Sequence, residues 1–229
     1  MIAATGWLAP LFLLHYAHVV PMWPGLLWLW LAAALALGIA NWRVIPVPVF
    51  IYPLAALFLS ASLVLPYLAD RLLAPSLPGF LSTLVFPLAW TAVEYLGARL
   101  SPFGTWGSLA YTQAGNWPLL QLASVVGVWG IVFVLAWFAS VANWLWEGGF
   151  SNEAAGAGLA VCWGWSAVVD TCGRELACLD HFAVSERVLI AEVSIAGPRT
   201  LYARIGDAWA WSCVSGLVVV AVWASLLAP

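Results

Sequence analysis

The sequence predicts an all-α integral membrane protein, a bundle of six or seven transmembrane helices with a short β-hairpin before the last. Three observations carry this reading. The 229 residues are 65% hydrophobic and only 7% charged, whereas a soluble domain carries about 25% charged residues. The apolar residues fall into runs of bilayer length, roughly 17–25 residues each. Seventeen tryptophans, many near the ends of those runs, match the preference of indole for the membrane–water interface. The net charge of −3 gives no sign of nucleic acid or an anionic surface as partner. Every basic residue is arginine, and the chain contains no lysine.

Polar residues, prolines and glycines divide the chain into spans at 4–20, 22–40, 46–68, 79–99, 122–146, 154–170 and 208–227. The first is interrupted by His15 and His18 and separated from the second only by Pro21, so a re-entrant or interfacial hairpin competes with a full crossing there. "MIAATGWLAP" lacks the basic n-region of a cleaved signal peptide. The two histidines share a helical face at a separation of three residues. Hydrogen bonding to neighbouring helices is the simpler use for them, with metal or haem ligation as the alternative. Cys162 and Cys213 fall inside spans and read as small packing residues.

Glu94 stands in an otherwise apolar span, where an ionisable group is by default a functional candidate. Trp90 lies one turn earlier on the same face. The plainer reading is a carboxylate neutralised by Arg99 or capped by loop amides. After this span comes "SPFGTWGSLAYTQAGNWPLLQ", residues 101–121, a loop without charge but rich in Gly, Trp, Tyr, Gln and Asn. Such a loop can lie at the interface without burying ions. Tyr111, Gln113 and Asn116 could equally serve only to satisfy backbone groups between helices.

Residues 171–207 differ in kind, holding four of the seven arginines and five of the ten acids. "RVLIAEVSI" alternates and is β-branched, as a strand does. "AGP" turns the chain and "TLYARI" supplies a second strand, giving a hairpin over 187–205 that is expected to pack on the 101–121 loop. Cys172 and Cys178 lie near Asp170, Asp180 and His181. Free thiols, a disulfide, a metal site and a Cys–His nucleophile all remain open there, although the spacing is not the tight one of structural zinc.

"FPLAWTAVEYLGARLSPFGTWGSLAYTQAGNWPLLQLASVVGVWG" resembles the membrane region of the apolipoprotein N-acyltransferases. The residues that carry the likeness are Trp90 and Glu94, Gly104-Thr105-Trp106, Ala110-Tyr111-Thr112-Gln113, Pro118-Leu119, and Gly127 with Gly130. The family's arginine three residues after the glutamate is replaced by Gly97, with Arg99 as a candidate substitute. Near the end, Thr200, Tyr202, Arg204, Gly206 and Asp207 match the run that leads from the family's nitrilase-like domain into its last helix. Both flanks of that domain are thus recognisable, while the domain itself shrinks to about 35 residues, so the hairpin reads as its remnant. The resemblance implies a membrane domain over 1–170, an extramembrane remnant over 171–207 and a final helix over 208–229.

Nitrilase-type acyl transfer needs a thiolate nucleophile, a carboxylate base and a lysine for the oxyanion. The family uses a Glu, Lys and Cys, and a chain without lysine cannot assemble that set. No catalytic residue, metal ligand or cofactor is therefore assigned. The resemblance instead implies a lipid or substrate groove bordered by Trp90, Glu94, Trp106, Tyr111 and Gln113, with Trp106 and Tyr111 covering acyl chains. Phospholipid or acyl chains, and a complete paralogue or separate nitrilase-type subunit, are the expected partners. The expectation is a catalytically deficient scaffold in lipoprotein maturation, in the bacterial inner membrane. An acyltransferase or hydrolase completed by another subunit or a rebuilt Cys/His site stays open, as does a gene-decay product. The family places 171–207 outside the cytoplasm, against the arginine count.

Overall fold

A computed structural model describes residues 3–42, 48–148 and 200–227. Helices α1 (Ala3–Val19) and α2 (Met22–Ala40) meet at a tight turn. Helix α3 (Tyr52–Leu73) runs on into a 3₁₀ turn at Ala74–Ser76. A second 3₁₀ turn, Gly79–Leu84, feeds α4 (Val85–Leu100). The neutral loop that follows holds a third, Leu109–Gln113. Then come α5 (Trp117–Val126), α6 (Val128–Glu147), the short α7 (Leu201–Ile205) and α8 (Ala208–Leu227). There is no strand among the described residues.

The all-α membrane class agrees with the sequence. Five helical stretches are long and apolar enough to cross a bilayer: Met22–Ala40, Tyr52–Ser76, Gly79–Leu100, Val128–Glu147 and Ala208–Leu227. At 17 residues, α1 lies at the short end of the crossing range. The expected span at 154–170 lies outside the described residues, as do the domain boundary at 171, Cys162, Cys172, Cys178 and His181.

Three expectations are corrected. The single span at 122–146 divides at Gly127, whose φ of 71° and ψ of −171° interrupt the ladder between α5 and α6. That conformation is essentially restricted to glycine. The third span starts at Tyr52, with Pro53 in the first helical turn, where its missing N–H costs nothing. Most consequentially, "TLYARI" is helical. Thr200 caps α7 by accepting a hydrogen bond from the Ala203 amide at 3.2 Å, and Gly206 (φ 56°) ends it. A capped helical turn satisfies its own backbone, whereas a second strand needs a partner edge. The first strand of the expected hairpin lies outside the described residues, and α7 packs on α5.

Apolar burial gives little drive for association inside lipid, so close backbone approach and hydrogen bonds must hold the helices together. The most enclosed span is α6, which packs on α1, α4 and α5. Its Ala136 and Ala139 are fully buried, and small residues at these positions let the backbones come close. Tyr67, Phe86 and Trp90 form an aromatic cluster between α3 and α4, with ring centroids 5.1–5.7 Å apart. Indole and phenol groups on the α2–α3 pair reach backbone carbonyls across the interface. Trp30 Nε1 donates to Leu57 O at 2.9 Å and Tyr52 OH to Gly38 O at 2.6 Å.

These contacts fix the order of crossings. Trp7, near the start of α1, meets Gln113 in the neutral loop, whereas His18 at its end meets Asp70 near the end of α3. Asp207 at the start of α8 meets Arg99 at the end of α4. One side of the bundle therefore carries the loop and the α7–α8 junction, and the other carries the histidines.

Gly127 is also where Tyr202 docks, since a Cβ there would lie 2.5 Å from the tyrosine ring. Gly127→Ala should combine backbone strain of about 1–3 kcal/mol with displacement of that ring. A lower thermal midpoint in detergent, larger than that of Gly115→Ala where a Cβ meets open space, is the expected result.

Candidate functional site

Glu94 comes from the last turns of α4, and the chain beyond it folds back over the carboxylate. Trp90, four residues earlier, donates its indole N–H to Oε1 at 2.8 Å. The Leu109 amide donates to the same oxygen at 3.1 Å, and the Ser108 hydroxyl donates to Oε2 at 2.6 Å. Ser108 also caps the Leu109–Gln113 turn by accepting from the Ala110 amide at 3.4 Å. One carboxylate thus gathers a helix indole, a hydroxyl and an orphan amide from the first turn of the next element. A buried acceptor stripped of water requires such donors.

Gln113 closes the turn and is fully buried. Its Oε1 accepts from Trp7 Nε1 and from Asn116 Nδ2, each at 3.1 Å, and its Nε2 donates to Thr112 Oγ1 at 3.1 Å. Trp90 is buried too, while Trp106 and Tyr111 are about half exposed on the outer surface of the loop. Tyr111 OH and Thr105 Oγ1 share a hydrogen bond of 2.6 Å, and Trp106 leans on Phe103 with centroids 5.8 Å apart. Gly104 and Gly107, with φ of 57° and 81°, allow the reversals that put Trp106 outside. The five residues therefore form two layers, with Trp90, Glu94 and Gln113 in a hydrogen-bonded base and Trp106 and Tyr111 in an exposed cover. None of the five lines the apolar groove of about 590 Å³ between α2 and α3, which is walled by Leu31, Leu35, Trp42, Tyr52 and Leu57 among others.

Of the two plain readings of Glu94, the structure supports capping by the loop. Arg99 pairs with Asp207, and its guanidinium also lies over the Tyr95 ring at 5.4 Å. Asp207 accepts in addition from Tyr202 OH at 2.6 Å and Trp129 Nε1 at 3.2 Å. Burial pushes the Asp207 carboxyl up, but the hydrogen bonds from Tyr202, Arg99 and Trp129 outweigh it and leave it below the usual range. Donation to that carboxylate, helped by burial and by the unfavourable approach of a phenolate to an anion, pushes Tyr202 up to about 12. Asp207 thereby ties α4, α6, α7 and α8 together beside the loop.

Trp7 and Ser108 were not singled out from the sequence, and Asp207 entered only as a member of the family's terminal run, without its partners. Ser108 carries a readable signal, a serine opening a turn after a glycine-rich stretch. Trp7 and Asp207 act across 106 and 108 residues of chain, and no local pattern reports such partners. Asp70 lies just past the 46–68 span drawn from the sequence, and only the longer α3 of the structure brings it under the criterion that drew attention to Glu94.

A helical membrane scaffold whose uncharged loop is pinned to a carboxylate on the preceding helix is the class that fold and site define. The family model for the apolipoprotein N-acyltransferase N-terminal domain matches residues 1–141. The apolipoprotein N-acyltransferase of Geobacter metallireducens is 45% identical over 51 residues, 22% of this chain and 10% of that protein. Apolipoprotein N-acyltransferase 1 of Treponema denticola is 32% identical over 126 residues, 53% of this chain and 22% of that protein. The matched part is thus a tenth to about a fifth of the length of these curated relatives. No solved structure matches the chain. The chain belongs to the apolipoprotein N-acyltransferase family.

Removing the Glu94 acceptor strands three donors, each worth about 1–3 kcal/mol when buried and unpaired. Glu94→Ala should therefore destabilise by about 3 kcal/mol or more. Glu94→Gln keeps a carbonyl for Trp90 and Leu109 and an amide that Ser108 can accept from, so its loss should be about 1 kcal/mol. Tryptophan-fluorescence melts of the two variants check the ordering. For Asp207, a lowered folded-state value means its stabilisation is present at neutral pH and is lost as pH falls through that value, below about 4. Asp207→Asn should flatten the acid limb of the melting profile while lowering its neutral plateau.

Proposed function

We propose that this chain is a lipid-binding membrane scaffold within the lipoprotein-maturation family, without acyl transfer chemistry of its own. The observation that carries the proposal is the combination of a lysine-free chain with an ordered, uncharged loop whose base is built on Glu94 and Gln113. Nitrilase-type transfer needs a cation at the oxyanion, and arginine presents its donors in a different geometry from lysine. The base of the loop has its hydrogen-bonding capacity committed to structure, which leaves Trp106 and Tyr111 as the groups available to a ligand.

Both are aromatic with a polar end, the chemistry suited to an acyl chain next to a headgroup. The groove between α2 and α3 offers a second apolar surface, of about 590 Å³. A localisation in the bacterial inner membrane accords with this reading. A second reading, completion by a separate nitrilase-type subunit, draws on the same exposed cover, because Phe103, Trp106 and Tyr111 are all exposed on the loop.

The purified chain alone should show no transfer of an acyl group from phospholipid to a lipopeptide amine. Turnover that survives removal of contaminating full-length enzyme would refute the deficiency. Trp106→Ala should lower co-purified phospholipid, measured by mass spectrometry, with the helical circular dichroism unchanged. Equal lipid content in the variant removes the loop from the binding surface. Turnover that requires an added nitrilase-type domain selects the second reading.

A further inference from the structure

On the side opposite the loop, α1, α3 and α6 meet through ionisable residues that the proposed lipid-binding surface does not use. His18, one residue before the end of α1, lies between two carboxylates. Its Nε2 is 2.6 Å from Asp70 Oδ2 and its Nδ1 is 2.8 Å from Glu147 Oε1. Asp70 is buried, whereas Glu147, at the end of α6, is half-exposed. Asn143, one turn before Glu147, accepts from His15 Nδ1 at 2.9 Å, and its amide nitrogen lies 3.1 Å from Glu147 Oε1 and 3.3 Å from His18 Nδ1, so that Glu147, at the shorter distance, is the partner that sets the proton on Nδ1. The His15 ring stacks on Trp146 at 4.2 Å. Arg71, beside Asp70, donates to the carbonyls of Ala17, His18 and Val20 and so caps the C-terminus of α1. His15, His18, Asp70, Arg71 and Glu147 are the charged or imidazole groups that α1, α3 and α6 bring to this end. Among the described residues, the start of α2, the 74–84 turns and the start of α4 add none.

The proton count follows from the geometry. A neutral imidazole has one N–H and one lone pair. With both carboxylates ionised and both ring nitrogens at hydrogen-bond distance from them, a neutral ring would aim its lone pair at an anion. One further proton removes that conflict and turns both contacts into charge-assisted donations. It also balances the charge. Imidazolium and guanidinium then face two carboxylates, whereas without the proton the set carries a net negative charge next to a buried aspartate, a costly arrangement away from water.

We propose that His18 is a proton-operated fastener: an imidazolium that bridges Asp70 and Glu147 joins α1 to α3 and α6, and loss of its proton undoes the bridge. The site binds a single proton, with no other reactant. Folding retains on His18 a proton that the unfolded chain releases above about pH 6.5. Stability therefore falls as pH rises from there.

The test uses the full chain in detergent, melted between about pH 6 and about pH 8, below the range in which free thiols and tyrosines ionise, because the buried Cys213 thiol would add a slope of its own above it. The expected result is a wild-type midpoint that falls by several degrees across this window. His15→Gln should retain the fall. His18→Gln, which has one amide and no titration, should start lower and stay flat. A flat wild-type profile, or the full slope in His18→Gln, overturns the proposal. If His18→Gln does not fold, nitrogen-15 NMR of histidine-labelled wild type decides, with His15→Gln and His181→Gln identifying the remaining resonance pair. Two protonated ring nitrogens on His18 near neutral pH support the fastener, and the split pattern of a neutral tautomer refutes it.

Discussion

A carboxylate held away from water must find its donors within the protein, and the loop side of this structure is organised by that requirement at Glu94. The loop contains no charge that could neutralise the acid, so neutral donors have to be brought to it. The Trp90 indole comes from the same helix, and Ser108 and Leu109 come from the chain that folds back. Once Ser108 is fixed, the turn to Gln113 starts at a defined point. Gln113 in turn offers its carbonyl oxygen to Trp7 on α1. A single buried acceptor therefore sets the register of the turn that carries Leu109 and Ala110 into the core.

Helix α1 shows the same logic at the scale of the bundle. It is short for a crossing and contains Pro10, and its apolar faces gain little from association when the surroundings are lipid. Polar contacts at both ends compensate. Trp7 binds the loop at one end, and His18 with the Arg71 cap binds α3 and α6 at the other. Between them Leu14 and Ala17 pack against the enclosed face of α6. The arrangement accounts for histidines in a segment that otherwise reads as a plain hydrophobic span. Each ring nitrogen of His18 serves a different helix, which no apolar residue could do.

Much of the helical layout was legible in the sequence because bilayer length and interfacial tryptophan are local signals. The ends of α2 and α8 and the C-terminal end of α4 lie within a residue or two of the polar punctuation that marks them, whereas the first six residues of the 79–99 span form a 3₁₀ turn. Gly127 was visible as a glycine, but its role as a break depended on Tyr202, 75 positions on in the sequence. "TLYARI" misled because alternation over a few residues fits a strand as well as one helical turn, and the deciding Thr200 cap is a matter of geometry. At the site, the Trp90–Glu94 pairing followed from helical spacing. The inward placement of Gln113 and the outward placement of Trp106 and Tyr111 did not, because loop residues have no period from which a face can be read.

The described arginines bear on what chemistry the chain can support. Arg71 spreads its donors over the last carbonyls of α1, and Arg99 binds Asp207 while covering the Tyr95 ring. Both uses rely on a planar group that donates in several directions and stacks on an aromatic face, which an ammonium does less well. These two cations are committed to helix ends, and Arg71 lies across the bundle from Trp106 and Tyr111. Arg204 is exposed on α7, where water would screen any charge it brought to an oxyanion, whereas effective stabilisation of that kind requires a fixed donor in a site closed to solvent. Arg71 and Arg99 thus hold helices in place, and the exposed face of the loop, with Trp106 and Tyr111, is aromatic and neutral. That is the character the proposed acyl-chain surface requires.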